Sequence, residues 1–315
     1  MMTDKLLKTI FNKNKKCVIN TDLDGLISGM LLQRFLNWEV VGFSSCCGKQ
    51  NDNLWLKDKN SSLKDLIFVD LPVALKSIST IDQHFVAFEK ESIDRYNDCA
   101  NKLNPNIIRA RFFKNNDYTK KYPFGTAHFI LASLEKLNLI PENFEINFYK
   151  NLGNYDLCDL LLRADRVVGN TYLYTQNCFD WSNWMIDYGG KITKNLFNIV
   201  KSEYKERHNR EKFVESQMLR LGCAGLDGEC SNLIRKKDIR GLLQYFNFLS
   251  SAFNIDALPI FDLYSYDNLY GERIRVENNN FDHIKELLKQ KNMFSYAFVN
   301  MRTLSVTYKK GGKDE

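Results

Sequence analysis

Three segments of the chain bring carboxylates to places where they could do chemistry together. The first is Thr21-Asp22-Leu23-Asp24-Gly25, where the β-branched run CVINT gives way to an apolar stretch with helical spacing. Two acids separated by one residue share a face in a strand and diverge on a helix, so they meet one ion only in a turn. Gly25 suits the tight exit, and Ser28 lies one turn into the helix. Capping of that helix by Asp24 is the competing reading, since aspartate does this often. The second segment is Asp70, which ends the apolar run of IFVDLPV. A buried strand end rarely keeps a carboxylate without a partner. The third is Asp82-Gln83-His84, an acid, an amide and an imidazole in a row, with His84 one of only 4 histidines. A turn, a cap or a structural histidine is the bland reading of each. Together, the three would crowd Asp22, Asp24, Asp70 and Asp82 into one cleft. Acids so placed repel, and divalent cations are their natural partner. Two ions sharing a bridging carboxylate form a common clamp for phosphoester hydrolysis.

The elements that must position these residues alternate over the first 90 positions. CVINT, VVGF and DLIFVDLPV read as strands, FVAF after DQH as a possible fourth, and LDGLISGMLLQRFLNW as a helix. Such alternation predicts a parallel α/β sheet with helices on both faces, whose ligands bind at the carboxyl ends of strands. GKQNDNLWLKDKNSSLKD reads as a loop with at most a short helix. Helices are expected over Glu91–Leu103 and Phe124–Leu139, with Pro105–Tyr122 irregular between them. Beyond residue 170, Thr171–Asn183 is aromatic and polar without a clear period, and Lys191–Leu221 is charged and helical in character. Ile239–Phe253 and Asp282–Gln290 read as helices, and FSYAFVNMRTLSVTY as a hairpin or two short strands. The expected division is an α/β domain over 1–170, a helical connector over 171–220, a smaller α+β substrate-binding domain over 221–310, and a disordered tail over 311–315.

The order and spacing of the acidic segments resemble those of the DHH phosphoesterase superfamily. That family's first motif, H-x-D-x-D-G-x-x-S, is similar to Asn20-Thr21-Asp22-Leu23-Asp24-Gly25-Leu26-Ile27-Ser28. Its second is a lone strand-end aspartate, here Asp70, and its Asp-His-His signature is here Asp82-Gln83-His84. Its fourth, an aspartate after the following helix, matches Asp156 best, with Asp159 and Asp165 as rivals. The resemblance covers roughly residues 15 to 165 and implies two ions, manganese or magnesium. Asp22 would bind one and Asp24 the other, with Asp70 bridging, Asp156 completing the second, and Asn20 and Gln83 at the two remaining ligand positions. Asp82 and His84 would be the catalytic pair, His84 contacting the substrate phosphate rather than a metal. Ser28 would join the substrate side. Asn20 and Gln83 stand where the family has histidines. Each exchange removes an imidazole and offers at most an amide oxygen, which favours magnesium over softer ions, weak binding, or loss of activity.

With 315 residues, 44% hydrophobic and 26% charged, the composition is that of a globular protein with a real core. No apolar run near 18 residues suggests a membrane span. The start, MMTDKLLKTIFNKNKKCVIN, does not read as a signal peptide, so a cytoplasmic address is expected. The 8 cysteines lack paired CxxC spacing, which argues against a zinc knuckle and for reduced, buried thiols. A net charge of +6 permits an anionic partner such as nucleic acid. Arg273 and Arg275 alternate on an expected strand and would share a substrate-facing side. In Arg109–Lys121 (RARFFKNNDYTKK), cations interleave with aromatics, which suits single-stranded nucleic acid, though a surface loop whose phenylalanines pack inward is the slightly favoured reading. GCAGLDGEC is a candidate phosphate loop, though a plain turn between helices is the favoured reading. The leading expectation is a two-metal phosphodiesterase acting on nucleic acid or a short oligonucleotide. The alternative is a non-catalytic nucleotide or nucleic-acid binding protein with a degenerate site, and a pyrophosphatase or polyphosphatase comes third.

Overall fold

The computed structural model describes residues 4–45, 54–99, 101–144, 172–203, 216, 218–225, 227–266, 269–277 and 280–310. Its elements run α1 (Asp4–Ile10), β1 (Lys16–Asn20), α2 (Leu23–Leu36), β2 (Glu39–Ser44), β3 (Leu54–Leu56), β4 (Ile67–Val69) and β5 (Ser79–Ile81). They continue with α3 (Lys90–Asp98), β6 (Lys102–Leu103), α4 (Pro105–Ile108), α5 (Thr126–Lys136), α6 (Tyr172–Tyr188) and α7 (Lys191–Glu203). The last are α8 (Ser231–Arg235), α9 (Ile239–Phe253), β7 (Tyr264–Ser265), β8 (Leu269–Arg275), α10 (Phe281–Leu287), β9 (Met293–Asn300) and β10 (Thr303–Lys309).

A seven-stranded sheet of order β6-β5-β4-β1-β2-β3-β7 forms the centre, and β8-β10-β9 form a separate antiparallel sheet. From β6 to β2 neighbouring strands are parallel, while β3 and β7 add antiparallel pairs at one edge. The chain passes from β1 outward to β2 and β3, then returns to the other side of β1 as β4. The crevice between the ends of β1 and β4 is therefore the topological switch point, the usual ligand site of such sheets. Strand β1 is buried from Cys17 to Asn20, as a central parallel strand should be.

Helix α2 is buried on nearly all sides, packed between β1 and α5. It approaches β1 so closely that a Cβ on Gly25 would collide with the Asn20 carbonyl oxygen. One core cluster joins α1, α2, α5, α6 and α9 to Cys17, Ile19, Ile67 and Val69 of the sheet. The alternate residues Val18, Val41, Leu56 and Phe68 face the other way, against Leu63, Leu71, Ile78, Leu269 and Phe294. Helices thus cover one face; among the described residues, the expected helices of the second face are replaced by turns and by side chains of β8 and β9.

The second half of the chain enters the first sheet, since β7 pairs with β3. A further bridge joins Val73 to Ser295. Other departures from expectation are local. Phe85–Phe88 is not a strand; its apolar side chains pack in a cluster with β9 and β10, and the Phe85 carbonyl accepts from Phe298 N at 2.8 Å. Leu54–Leu56, expected in a loop, is β3. Tyr172–Tyr188 is one helix, buried at Cys178, Trp181 and Met185, a helical spacing hidden by the aromatic residues around it. Cys17, Cys178, Cys223 and Cys230 are buried free thiols, and burial pushes Cys223 up to about 12. No helix among the described residues is long and apolar enough to cross a membrane.

Candidate metal centre at the strand ends

Four neighbouring parallel strands end in polar residues: Asn20 on β1, then Asp70, Asp82 and Asn104 just beyond β4, β5 and β6. Asp70 takes a left-handed backbone (φ 58°), tolerated by aspartate better than by most residues, and its N–H donates to the Ile81 carbonyl at 2.8 Å. Asp82 N–H donates likewise to Leu103 at 2.9 Å. The backbone beyond the sheet is therefore fixed, and with it the direction of both carboxylates.

Asp70, Asp82 and His84 converge, with one ligand atom of each within 4.8 Å of the others. Asp70 and Asp82 are 0% and 2% exposed, whereas the His84 side chain keeps 19% of its surface in contact with solvent. His84 Nδ1 lies 2.6 Å from Asp82 Oδ1 and 4.0 Å from Asp70 Oδ1. In the tautomer that carries its proton on Nδ1, the ring donates to this carboxylate. Asp82 Oδ2 also accepts from His84 N–H at 3.2 Å and from Asn104 Nδ2 at 3.3 Å. Two buried carboxylates beside an imidazole make an oxygen-and-nitrogen donor set suited to manganese, magnesium or zinc. An ion there would displace the proton between His84 and Asp82, so metal and proton compete.

The first motif divides its labour differently from the expectation. Asp22 caps α2, accepting from Gly25 N–H at 3.0 Å. Asn20 Nδ2 donates to Asp22 Oδ2 and to Asp70 Oδ2, both at 3.0 Å. Thr21 N–H donates to Asn20 Oδ1 at 2.9 Å, which fixes the amide's orientation. Asn20 thus presents nitrogen, not oxygen, to the acids. Asp24 faces the first turn of α5, where its two oxygens accept from Thr126 N–H at 2.7 Å and Ala127 N–H at 2.8 Å. A carboxylate at a helix N-terminus meets unsatisfied amides and the positive end of the dipole. It caps a helix, as the bland reading held, but one 102 positions away rather than its own. A Cβ at Gly125 would stand 2.5 Å from Asp24 Oδ1, so this seat requires glycine. The same first turn sends Thr126 Oγ1 to Asp70 Oδ1 at 2.7 Å.

Ser28 is fully buried on α2, its hydroxyl without a hydrogen bond among the described residues. Gln83 contributes its carbonyl, which accepts from Asn106 Nδ2 at 2.8 Å. Asp156, Asp159 and Asp165 lie outside the described residues. Arg273 and Arg275 are exposed on β8, in a sheet other than the one whose strand ends carry the acids, and Arg275 Nε pairs with Glu277 at 2.7 Å. The glycine-rich segment is a brace for the first motif. Leu23 N–H donates to Asp227 at 2.8 Å, and Cys230 N–H to Thr21 at 2.9 Å. Asn104, Asn106 and Thr126 escaped sequence reasoning, although an asparagine before Pro105 and a threonine opening a helix are recognisable capping signals.

Beneath the group, Lys102 Nζ is buried and donates to the carbonyls of Val73 at 2.7 Å and Ile78 at 3.1 Å. Burial lowers its pKa to about 8, against the opposing pull of Cys99 and Asp82. A cleft lined by Arg34, Phe35, Leu139 and Pro141 sits at the far end of α2, away from the acids. Comparison with family models, with curated proteins and with solved structures found no match.

Proposed function

We propose that this chain is a metal-dependent phosphoester hydrolase of the DHH type, acting on nucleic acid or a short oligonucleotide. The convergence of Asp70, Asp82 and His84 at the carboxyl ends of β4 and β5, next to the switch point of a parallel sheet, carries this reading. These three residues would hold one divalent ion, manganese or magnesium. Bound there, such an ion would supply Lewis acidity to a phosphoryl oxygen and lower the pKa of a water. Asn20 replaces part of what a second ion would do: its amide joins Asp22 to Asp70 through two hydrogen bonds. Among the described residues one such ligand group is present, and we infer one ion there; Asp156, expected to complete a second ion's shell, lies outside the described residues. Asn104 orients Asp82, Thr126 orients Asp70, and Asp24 anchors the helix that carries Thr126.

The same amide supports a second reading, a nucleotide-binding protein whose hydrolysis has been lost. Turnover decides between them. A 5′-labelled oligonucleotide and bis-p-nitrophenyl phosphate are incubated with manganese or magnesium, using wild type and Asp70→Asn. Hydrolysis that Asp70→Asn abolishes is the expected result. Oligonucleotide binding without turnover under any divalent ion would establish the second reading instead.

A further inference from the structure

The segment Arg109–Lys121 holds cations that the acidic group does not use. Its aromatics pack inward: Phe113 stacks on Phe298 at 4.2 Å between ring centroids, and Tyr118 Oη donates to the Val299 carbonyl at 2.5 Å. That removes a base-stacking surface built from those rings, but the two arginines are placed otherwise. The Arg109 guanidinium lies 4.3 Å over the Trp181 ring. Its Nη1 is buried and has no acceptor among the described residues; the same holds for Arg111 Nε. A guanidinium only donates, so what each lacks is an acceptor. Leaving a buried donor unmet costs roughly 1–3 kcal/mol, more for a charged group.

The nearest carboxylate, Asp117, forms ion pairs through Oδ1 but no hydrogen bond at that atom. Asp117 Oδ1 is 3.9 Å from Arg111 Nη1 and 3.6 Å from Lys120 Nζ, and its Oδ2 accepts from Phe112 N–H and Asn115 Nδ2. Burial, and next the charge of Arg111, lower the Arg109 pKa, while Asp180 opposes them. The backbone is set: Arg109 N–H donates to Pro105 O and Arg111 N–H to Asn106 O, with Ala110 left-handed between them (φ 52°). Helix α4 alone separates Arg109 from Asn104, whose amide holds Asp82. The Arg111 side chain retains 26% exposure, which leaves a way in from solvent.

We propose that Arg109 and Arg111 form a binding site for a phosphate group, one short helix away from the acidic centre. The planar fork of arginine matches phosphate oxygens, and a dianion entering beside the part-exposed Arg111 would offer it an acceptor and offset the positive charge that Arg111 places on Arg109. The site needs no metal and no hydrolysis, so it stands or falls separately from the catalytic reading.

The test is calorimetry in EDTA with a thymidine dinucleotide carrying a 5′-phosphate, its unphosphorylated twin, and inorganic pyrophosphate as competitor. Wild type should bind the phosphorylated dinucleotide at least about tenfold more tightly than the twin, about one charge-assisted hydrogen bond. Arg111→Gln, which leaves the Trp181 stack intact, should erase most of that preference while melting like wild type. Arg109→Lys should retain part of it. Displacement by pyrophosphate assigns recognition to the phosphate itself; failure to displace overturns the proposal. So does a wild type that ignores the 5′-phosphate, or an Arg111→Gln variant with undiminished preference, since water alone would then satisfy the arginines.

Discussion

Asp24→Asn separates a metal ligand from a structural carboxylate. In the structure both Asp24 oxygens accept amides of the first turn of α5, at 2.7 and 2.8 Å. Asparagine keeps one acceptor but turns an NH2 towards the other amide. One charge-assisted bond is lost, worth about 1.5–3 kcal/mol. The interaction with the helix dipole adds roughly 0.3–1 kcal/mol. The expected loss is therefore about 2–4 kcal/mol, or on the order of 3–6 °C in melting temperature for a chain of this size. Denaturant unfolding in EDTA measures the loss, and manganese titration measures affinity in the same samples. Asp24→Asn should lower stability by that amount and leave manganese affinity within about threefold of wild type, under 1 kcal/mol. A variant that melts like wild type yet no longer binds manganese would refute the assignment and return Asp24 to the metal.

Gly125→Ala should destabilise in the same direction, because its Cβ would meet Asp24 Oδ1 at 2.5 Å. In a double-mutant cycle with Asp24→Asn, the two losses should be clearly less than additive by thermal melting. Asn20→Ala removes the donor shared by Asp22 and Asp70 and should cost about 1–3 kcal/mol in EDTA. Added manganese should stabilise that variant more than wild type in a melting assay, since a cation can then take the amide's place. Lys102 has its folded pKa lowered from 10.5 to about 8, so the folded state disfavours its charge. The penalty is full below pH 8 and is relieved as pH rises towards 10.5, because the unfolded chain then binds the extra proton. Wild-type stability relative to Lys102→Met should therefore rise by a few kcal/mol over that window, an order-of-magnitude figure read by denaturant unfolding.

The sequence made the strand ends legible where a residue's role depended on its neighbours. Asp70 and Asp82 stand directly after apolar runs, and their carboxylates do share one crevice. Helix α5 is legible from its amphipathic period, and helix α9 and the strands β9 and β10 from the local residue pattern. What stayed hidden was set by distant partners. That Asp24 serves α5 depends on 102 intervening residues, and no local pattern encodes it. Position alone makes Asn20 an oxygen ligand, but the Thr21 amide turns its nitrogen towards the acids. The second face of the sheet is filled by Leu269 and Phe294, far along the chain, in place of helices. Helix α6 was obscured because aromatic and polar residues surround its buried stripe.

The most direct test of the proposed site is manganese stoichiometry, by calorimetry with electron paramagnetic resonance, on wild type, Asp70→Asn and Asp82→Asn. One ion per chain, lost in both variants and accompanied by release of the proton shared by His84 and Asp82, is the expected result. Two ions per wild-type chain, or one ion retained by either variant, would contradict a single centre at Asp70, Asp82 and His84.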